Sequence, residues 1–135
     1  ICTLGTSAVN MLVASNSELS KISDIASITR FGGLAENAIL PDLVGIETGQ
    51  AAFGDIFAWF RKILLWTAQD SKHDSLLADL EKAAQRERIS DALPISLDWF
   101  NGRRYPDSDD FQRGVIANLS LGTTAPQIYY SLVFA

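Results

Sequence analysis

The chain opens on two short runs of apolar residues joined by a tripeptide that favours a turn. Residues 1–4 form the first run. Residues 8–14 form the second, in which Val9, Met11 and Val13 alternate with other positions. A period of two places these side chains on one face of a strand. Because the connection Gly5-Thr6-Ser7 contains a glycine, the pattern predicts a β-hairpin over residues 1–14.

A second region of strand character covers residues 25–46, after a polar link over residues 15–20. Its apolar residues are Ile28, Phe31, Ile39, Leu40, Val44 and Ile46. Two turns remain open within it, one at Gly32-Gly33 and one at Glu36-Asn37. Pro41 has no backbone N–H to give to a ladder, so we expect it at an edge, a bulge or a strand end.

From Gly49 onward the apolar period becomes that of a helix. The stripe consists of Phe53, Ile56, Phe57, Phe60, Ile63 and Leu64. This i, i+3, i+4, i+7 spacing predicts a helix over 49–66, and a similar pattern predicts a second helix over 74–88. Extended segments are expected at 95–100 and 115–121. A final helix is expected to begin at 123–126, where Pro126 suits a first turn.

Strands first and helices afterwards indicate an α+β fold. With 135 residues, 47% hydrophobic and 20% charged, the chain suits one modest domain or part of a larger one. It opens without Met on an apolar segment and closes on another over residues 128–135, whereas free termini are usually polar. We therefore expect an internal fragment of a longer protein.

Charge and cysteine content narrow the classes of function. Eleven Lys and Arg against sixteen Asp and Glu leave a net charge of −5, which argues against a nucleic-acid partner. No apolar run reaches the roughly 18 residues of a membrane span, so no membrane partner is expected. The single cysteine, Cys2, allows neither an internal disulfide nor a Cys-based zinc site. These features favour a cytoplasmic setting.

The tripeptide Gly5-Thr6-Ser7 is the first candidate for chemistry. A glycine lets the backbone approach a ligand closely, and successive N–H groups with two hydroxyls can hold phosphate oxygens. The same residues are also common in plain hairpin loops. From the tripeptide alone, the plain loop is the favoured interpretation, because glycine-rich loops are a weak signal.

Gly54 is the second candidate, because it falls inside the predicted helix, where glycine costs about 1 kcal/mol relative to alanine. Either close packing of the small residues Ala51, Ala52 and Gly54, or a flat ligand lying against the backbone, would explain it. The predicted helix start at Gly49-Gln50 would also offer unpaired N–H groups to an anion.

The loop Asn101–Pro106 is the third candidate. Its adjacent Arg103 and Arg104 could clamp a phosphate or a carboxylate in an acidic chain. The alternative is a surface loop whose arginines pair with nearby carboxylates, namely Asp107, Asp109 and Asp110.

The remaining titratable groups point to no catalytic centre. His73, the only histidine, is expected to be solvated, and a single histidine without a nearby cysteine supports no metal site. The carboxylates of Asp79, Glu81 and Glu87 are expected on a solvated helix face. No catalytic residue and no metal ligand is therefore assigned.

Taken in order, these segments resemble the FGGY carbohydrate kinases, most closely the ribulokinase group within that family. The carrying runs are Leu4–Ser7, Gly45–Phe60, Leu97–Arg104 and Arg113–Ile116. The similarity covers essentially the whole chain but only a minor, internal part of a family member. One departure is Tyr105, which stands where ribulokinases usually have a small threonine before the proline.

The resemblance implies part of a ribonuclease-H-like, actin-like ATPase lobe, with residues 1–135 as a partial C-terminal, nucleotide-binding lobe. It implies ATP and Mg²⁺ as cofactors, with the metal ligands mostly outside this chain. The residues that it assigns to the nucleotide are Gly5, Thr6, Ser7, Gly49, Gln50 and Gly54. The N-terminal sugar lobe and the catalytic aspartate are expected elsewhere in the parent protein, so this chain alone is expected to be inactive.

The function that the resemblance implies is ATP-dependent phosphorylation of a ketopentose, L-ribulose to L-ribulose 5-phosphate, in arabinose catabolism. The expected partners are ATP, a small sugar and further copies of the parent chain. Two alternatives stay open: an FGGY kinase for another sugar or polyol, such as D-ribulose or ribitol, and a non-catalytic relative that serves as a nucleotide-binding or interaction module.

Overall fold

The structure, a computed structural model, describes residues 1–24, 26, 29–30, 32–67 and 73–135. It confirms the predicted hairpin: β1 (Cys2–Leu4) pairs antiparallel with β2 (Ala8–Ala14), and Leu4 faces Ala8. The residues between them form a tight loop, which the amide of Gly5 closes by donating 2.9 Å to the carbonyl oxygen of Ser7.

The hairpin belongs to a four-stranded antiparallel sheet. Its other strands are β3 (Gly33–Glu36) and β4 (Val44–Gln50), and the order is β1-β2-β4-β3. Strand β4 pairs with β2 along its whole length, from Ala8 opposite Gln50 to Ala14 opposite Val44. This pairing brings the end of β4 beside the residues that follow the hairpin loop.

Of the two turns left open, the structure contains the one after Glu36. Asn37 has a positive φ of 56°, its amide donates to the carbonyl of Leu43, and its side-chain oxygen accepts from the amide of Asp42. Gly33 is instead the first residue of β3.

The expected placement of Pro41 is wrong. Pro41 lies in the connection between β3 and β4, together with Ile39 and Leu40, because the reversal is longer than a two-residue turn. The predicted strand residues Ile28 and Phe31 lie outside the described residues.

The helices whose bounds lie within the described ranges are α1 (Asn16–Leu19), α2 (Gly54–Leu64), α3 (Leu76–Ala84) and α4 (Ala125–Val133). The second and third are shorter than the helices predicted over 49–66 and 74–88. The predicted start of α2 at Gly49 is wrong, because residues up to Gln50 pair with β2 as a strand. The link predicted at 15–20 contains α1, which a capping box between Ser15 and Glu18 begins.

The last helix begins as predicted. Thr124 caps α4 and Pro126 lies in its first turn, where a missing N–H costs nothing. The two predicted extended segments are a short antiparallel pair, β5 (Ile95–Leu97) and β6 (Val115–Ala117). None of the helices in the described ranges combines the length and apolarity that crossing a bilayer requires.

The core lies where α2, α3 and α4 meet. Its buried members are Ala52, Ile56, Phe60, Leu80 and Leu132. Beside this apolar cluster, the buried hydroxyls of Ser96 on β5 and Ser131 on α4 lie 2.7 Å apart. The core therefore fixes α2, and with it the helix start that lies against the hairpin loop.

Candidate functional site

The start of α2 is bonded directly to the loop of the β1–β2 hairpin. The amide of Gly54 donates 2.9 Å to the carbonyl oxygen of Gly5, and the amide of Phe53 donates 2.7 Å to that of Thr6. Two segments some fifty positions apart thus form one unit, which we call the loop–helix junction (residues 5–7 and 53–54).

Gly54 is the first residue of α2 and has no room for a side chain. A Cβ at this position would lie 2.6 Å from the carbonyl oxygen of Gly5. Of the two explanations for this glycine, close packing is therefore confirmed. Its partner is the backbone of the hairpin loop, rather than a patch formed with Ala51 and Ala52.

The expectation that a helix start at Gly49-Gln50 offers free N–H groups is wrong. Gly49 and Gln50 lie in β4, opposite Val9 and Ala8. A Cβ at Gly49 would overlap the carbonyl oxygen of Ala8, so this glycine lets β2 and β4 approach closely. The side-chain amide of Gln50 donates 3.2 Å to the carbonyl oxygen of Ala135.

The hairpin loop carries hydroxyl groups that have no hydrogen-bond partner in the described ranges. Gly5 and Thr6 are exposed and Ser7 is half-buried. Within the described ranges, neither the Thr6 hydroxyl nor the Ser7 hydroxyl makes a hydrogen bond. The carbonyl oxygens of Gly5, Thr6 and Ser7 accept hydrogen bonds from the amides of Gly54, Phe53 and Gly5, so all three loop carbonyls are satisfied while the two hydroxyls keep their donors. This balance favours an anion over a cation.

The arginine loop is held by its own residues. Arg103 and Asp109 exchange backbone hydrogen bonds of 2.9 and 2.8 Å, and the Arg103 guanidinium lies 5.4 Å from the centre of the Trp99 ring. One guanidinium nitrogen donates 3.1 Å to the carbonyl oxygen of Asp107, and the buried Nε has no partner in the described part of the chain.

Arg104 points to a different partner, Glu47 on β4, at 4.0 Å. The predicted pairing of both arginines with the carboxylates of Asp107, Asp109 and Asp110 is therefore wrong, although the backbone carbonyl of Asp107 does hold Arg103. The Asp107 carboxylate lies 3.5 Å from Arg30 instead. Because Arg103 and Arg104 bind different partners, they do not form one anion clamp.

The carboxylate of Asp109 is stabilised mainly by hydrogen bonds from two uncharged donors. The side-chain amide of Gln112 donates 2.8 Å to one carboxyl oxygen of Asp109, and the amide of Phe111 donates 2.9 Å to the other. These two bonds, with a smaller contribution from Arg103, hold the pKa of Asp109 below its ordinary value.

Tyr105, which stands where the resemblance leads us to expect a small threonine, lies half-buried beside the sheet. Its hydroxyl is 3.9 Å from the position of a Cβ at Gly33, and it lines a groove of about 330 Å³ together with Met11 and Glu47. A threonine at this position would leave that side of the groove open.

The residues expected to be solvated are mostly so. His73, Asp79 and Glu81 are exposed, whereas Glu87 lies beyond the end of α3, is half-buried and accepts a 3.3 Å hydrogen bond from Gln127. Among the residues that the structure describes, no three His, Cys, Asp or Glu side chains come together as a metal site.

A groove of about 280 Å³ beside the first turns of α2 was not predicted from the sequence. Its lining residues are Ala52, Asp55, Ile56, Trp59, Phe100 and Asn101. The spacing of Asp55 and Trp59 places them on one helix face, which the sequence could have indicated. Their proximity to Phe100 and Asn101 depends on the tertiary fold.

Residues 1–135 match the family model described as the FGGY family of carbohydrate kinases, C-terminal domain. A ribulokinase from Vibrio parahaemolyticus is 34% identical over 96% of this chain, and one from Halalkalibacterium halodurans is 30% identical over 100%. The chain spans only 24% and 23% of those two proteins, about a quarter of their length.

Solved structures agree on the fold. A xylulose kinase from Rhodospirillum rubrum superimposes with a TM-score of 0.70 at 21% identity, covering 98% of this chain and 23% of its own. A glycerol kinase from Plasmodium falciparum, solved with ADP, superimposes with a TM-score of 0.63 at 18% identity, and the match covers 98% of this chain and 24% of the glycerol kinase. With this fold, which is that of the actin-like ATPases, and the family match over its whole length, the chain belongs to the FGGY family of carbohydrate kinases.

Proposed function

We propose that the parent protein of this chain phosphorylates a ketopentose with ATP, converting L-ribulose to L-ribulose 5-phosphate in arabinose catabolism. The support for this substrate is that both relatives compared above, at 34% and 30% identity over nearly the whole chain, are named ribulokinase. The structures of lower identity support the fold and leave the sugar open.

Residues 1–135 form, in this proposal, part of the C-terminal, nucleotide-binding lobe. The family model that they match is a C-terminal domain, and about three quarters of each relative lies outside the matched part. The sugar lobe and the catalytic aspartate belong to that remainder. Without a base and a sugar site, residues 1–135 transfer no phosphoryl group by themselves.

The observation that carries the proposal is the loop–helix junction. The bond from Gly54 to Gly5 fixes a loop whose Thr6 and Ser7 hydroxyls face no partner in the described residues. Donors held in place before a ligand arrives stabilise developing negative charge without reorganising. We assign Gly5, Thr6 and Ser7 to the phosphate groups of the nucleotide.

Gly54, Gly49 and Gln50 complete the nucleotide site in a supporting role. Gly54 and Gly49 let α2 and β2 approach closely enough to hold the loop, and Gln50 ends β4 beside it. A side chain at either glycine would shift the loop donors. An error of about 1 Å in such positions can cost about a hundredfold in rate.

The cofactors in this proposal are ATP and Mg²⁺. ATP supplies the phosphoryl group, and the metal neutralises phosphate charge. The chain has a net charge of −5 and Asp55 directly follows Gly54, so these negative charges would repel a polyphosphate bound here. A cation bound together with the polyphosphate would offset this repulsion. The metal ligands lie mostly in the remainder of the parent.

The proposed setting is the cytoplasm, where ATP and free pentoses are found. The partners are ATP, a small sugar and other copies of the parent in a homo-oligomer. The net charge of −5 argues against a nucleic-acid partner for these residues.

A coupled ADP-release assay on the full-length parent tests the proposal. The acceptors are L-ribulose, D-ribulose, ribitol, xylulose and glycerol, each with ATP and Mg²⁺. Turnover well above the others with L-ribulose supports it. A preference for another acceptor would support the kinase activity but assign a different substrate. No turnover with any acceptor would contradict the proposed activity.

A further inference from the structure

Three aromatic rings connect the loop–helix junction to the last helix. The rings of Phe53 and Phe57 lie 6.2 Å apart between centres and are nearly perpendicular, at 87°. The rings of Phe57 and Tyr129 lie 5.4 Å apart and are tilted by 49°. Both separations fall within the range of about 4.5–7 Å that favours aromatic pairs, and neither pair is a face-to-face sandwich. We call these three residues the aromatic chain (Phe53, Phe57 and Tyr129).

Phe53 is an unusual residue for the place that it occupies. It lies at the N-cap position of α2, where Ser, Thr, Asp and Asn are preferred because their side chains accept hydrogen bonds from amides of the first turn. Phenylalanine has no such acceptor. The two amides at the helix start, those of Phe53 and Gly54, donate to the carbonyls of Thr6 and Gly5 in the hairpin loop. A break of a local rule at this place indicates that the Phe53 ring has another role.

The amide and the ring of Phe53 are held by different neighbours. The amide donates 2.7 Å to the carbonyl oxygen of Thr6, and the ring packs on Phe57, one turn further along α2. While the ring stays packed, the backbone at Phe53 is restricted to conformations that keep this contact. The direction of its amide is restricted with it, so the position of Thr6 depends on what holds the ring.

Phe57 is held from its other side by α4. Tyr129 is half-buried and packs against the buried apolar core. Burial, with a smaller contribution from Glu81, raises the pKa of Tyr129 above its ordinary value, so the ring stays uncharged. The Tyr129 hydroxyl makes no hydrogen bond in the described ranges. The contact that joins Tyr129 to Phe57 is therefore that of the two rings.

We propose that Phe57 is a positioning residue for the hairpin loop. Placed between Phe53 and Tyr129, it fixes the Phe53 amide, which holds Thr6 and thereby sets the direction of the Thr6 and Ser7 hydroxyls. This role rests on the proposed function, which assigns those hydroxyls to phosphate, and Phe57 acts on them through Phe53. Removing the Phe57 ring would free Phe53, and a loop shift of about 1 Å would misalign the donors.

A ring that only fills the core would act differently. Losing such a ring would lower the stability of the whole protein, as the loss of any large core side chain does. It would leave the position of the hairpin loop unchanged in the molecules that remain folded. The position of the loop in the folded state, rather than the melting temperature, therefore distinguishes the two roles.

Methyl NMR of the full-length parent, labelled with ¹³C at its threonine methyl groups, measures the loop position, and Thr6→Ser assigns the Thr6 signal. In Phe57→Leu, which keeps an apolar side chain, the Thr6 signal should move in the absence of nucleotide. The kcat/KM for ATP should fall about tenfold while the KM of the sugar stays unchanged. Ile116→Ala is the control, because Ile116 packs on the same core from β6. It should lower the melting temperature and leave the Thr6 signal in place.

Tyr129 supplies a second pair of variants at the far end of the aromatic chain. Tyr129→Leu removes the ring and should move the Thr6 signal as Phe57→Leu does. Tyr129→Phe keeps the ring and should match the wild type. Should Phe57→Leu fail to fold, this pair gives the decision.

A Thr6 signal that stays in place in Phe57→Leu overturns the inference, as does an equal displacement in Ile116→Ala or an unchanged kcat/KM for ATP. Wild-type turnover together with an unmoved Thr6 signal in Phe57→Leu contradicts this inference alone. A Thr6 signal that moves, in a parent that turns over none of the acceptors, contradicts the proposed function and supports the positioning of the loop by Phe57.

Discussion

The amide of Gly54 donates a 2.9 Å hydrogen bond to the carbonyl oxygen of Gly5, which joins the first turn of α2 to the β1–β2 loop. The amide of Phe53 donates a second hydrogen bond, of 2.7 Å, to the carbonyl oxygen of Thr6, so two hydrogen bonds hold the loop against the start of the helix. The loop therefore cannot move independently of α2, whose other side is anchored by the buried Ile56 and Phe60. Loop position is thus set by the core.

Gly54→Ala should destabilise the parent by about 1–3 kcal/mol, because the new Cβ meets backbone that has no flexible end to move aside. This Cβ would lie 2.6 Å from the carbonyl oxygen of Gly5. The apparent melting temperature should fall and ATP should bind more weakly. In the matched control Gly122→Ala, the atom nearest to the new Cβ is the Ser120 hydroxyl oxygen at 3.7 Å. The melting temperature and the ATP affinity of this control should stay unchanged. Equal melting temperatures for the two variants would contradict this.

Gly49→Ala should loosen the pairing of β2 with β4. Its Cβ would overlap the carbonyl oxygen of Ala8, so one strand must separate from the other. Hydrogen–deuterium exchange of the β2 amides should become faster. Gly33→Ala places a Cβ in the same sheet, 3.9 Å from the Tyr105 hydroxyl, and should not change exchange in β2. Unchanged protection in Gly49→Ala would show that β2 does not need this glycine.

Ser131→Ala should destabilise more than Ser96→Ala. The Ser131 hydroxyl donates 2.8 Å to the carbonyl of Ile128, so in the 2.7 Å contact it is Ser96 that donates to Ser131. Losing Ser131 strands the buried Ser96 hydroxyl, at a cost of about 1–3 kcal/mol, whereas losing Ser96 leaves the bond to Ile128. Melting temperatures of both single variants and the double variant decide, and the reverse ranking would contradict the assigned donor.

Gln112→Ala should raise the pKa of Asp109, because the Gln112 side chain gives the strongest of the bonds that lower it. A folded-state pKa below the unfolded value favours folding above the unfolded pKa, and this contribution is lost as the pH falls through the folded pKa. Carboxyl ¹³C NMR titration of wild type and variant measures the change. An identical Asp109 pKa in both would rule out the Gln112 bond as its cause.

Local patterns predicted most elements but not their ends. Alternation over residues 8–14 was enough for β2, and Thr124 with Pro126 was enough for the start of α4. The helix period, however, was extended back to Gly49, because Gly45–Gln50 has no strong local preference and becomes a strand only by pairing with β2. Long-range pairing overrides local propensity in such segments.

The sequence predicted which residues belong to the candidate site but not how they contact one another. The sequence singled out Gly5, Thr6, Ser7 and Gly54, yet only the fold shows that Gly54 packs on the loop itself. The arginines show the converse. Arg103 and Arg104 are adjacent in sequence, but Arg103 turns to Trp99 and Arg104 approaches Glu47. Two arginines that are adjacent in sequence therefore indicate a local concentration of positive charge, but they do not indicate that both side chains point to the same place.

The measurement that tests the central claim most directly is the dissociation constant of ATP for the full-length parent carrying Thr6→Ala or Thr6→Ser. The Thr6 hydroxyl makes no hydrogen bond in the described part of the chain, so its loss should not affect folding. If it binds phosphate, Thr6→Ala should weaken ATP binding about tenfold or more, as expected for a hydrogen bond to a charged group. Thr6→Ser keeps the hydroxyl and should stay close to wild type. An ATP affinity of Thr6→Ala equal to that of wild type would contradict the assignment of this loop to the nucleotide.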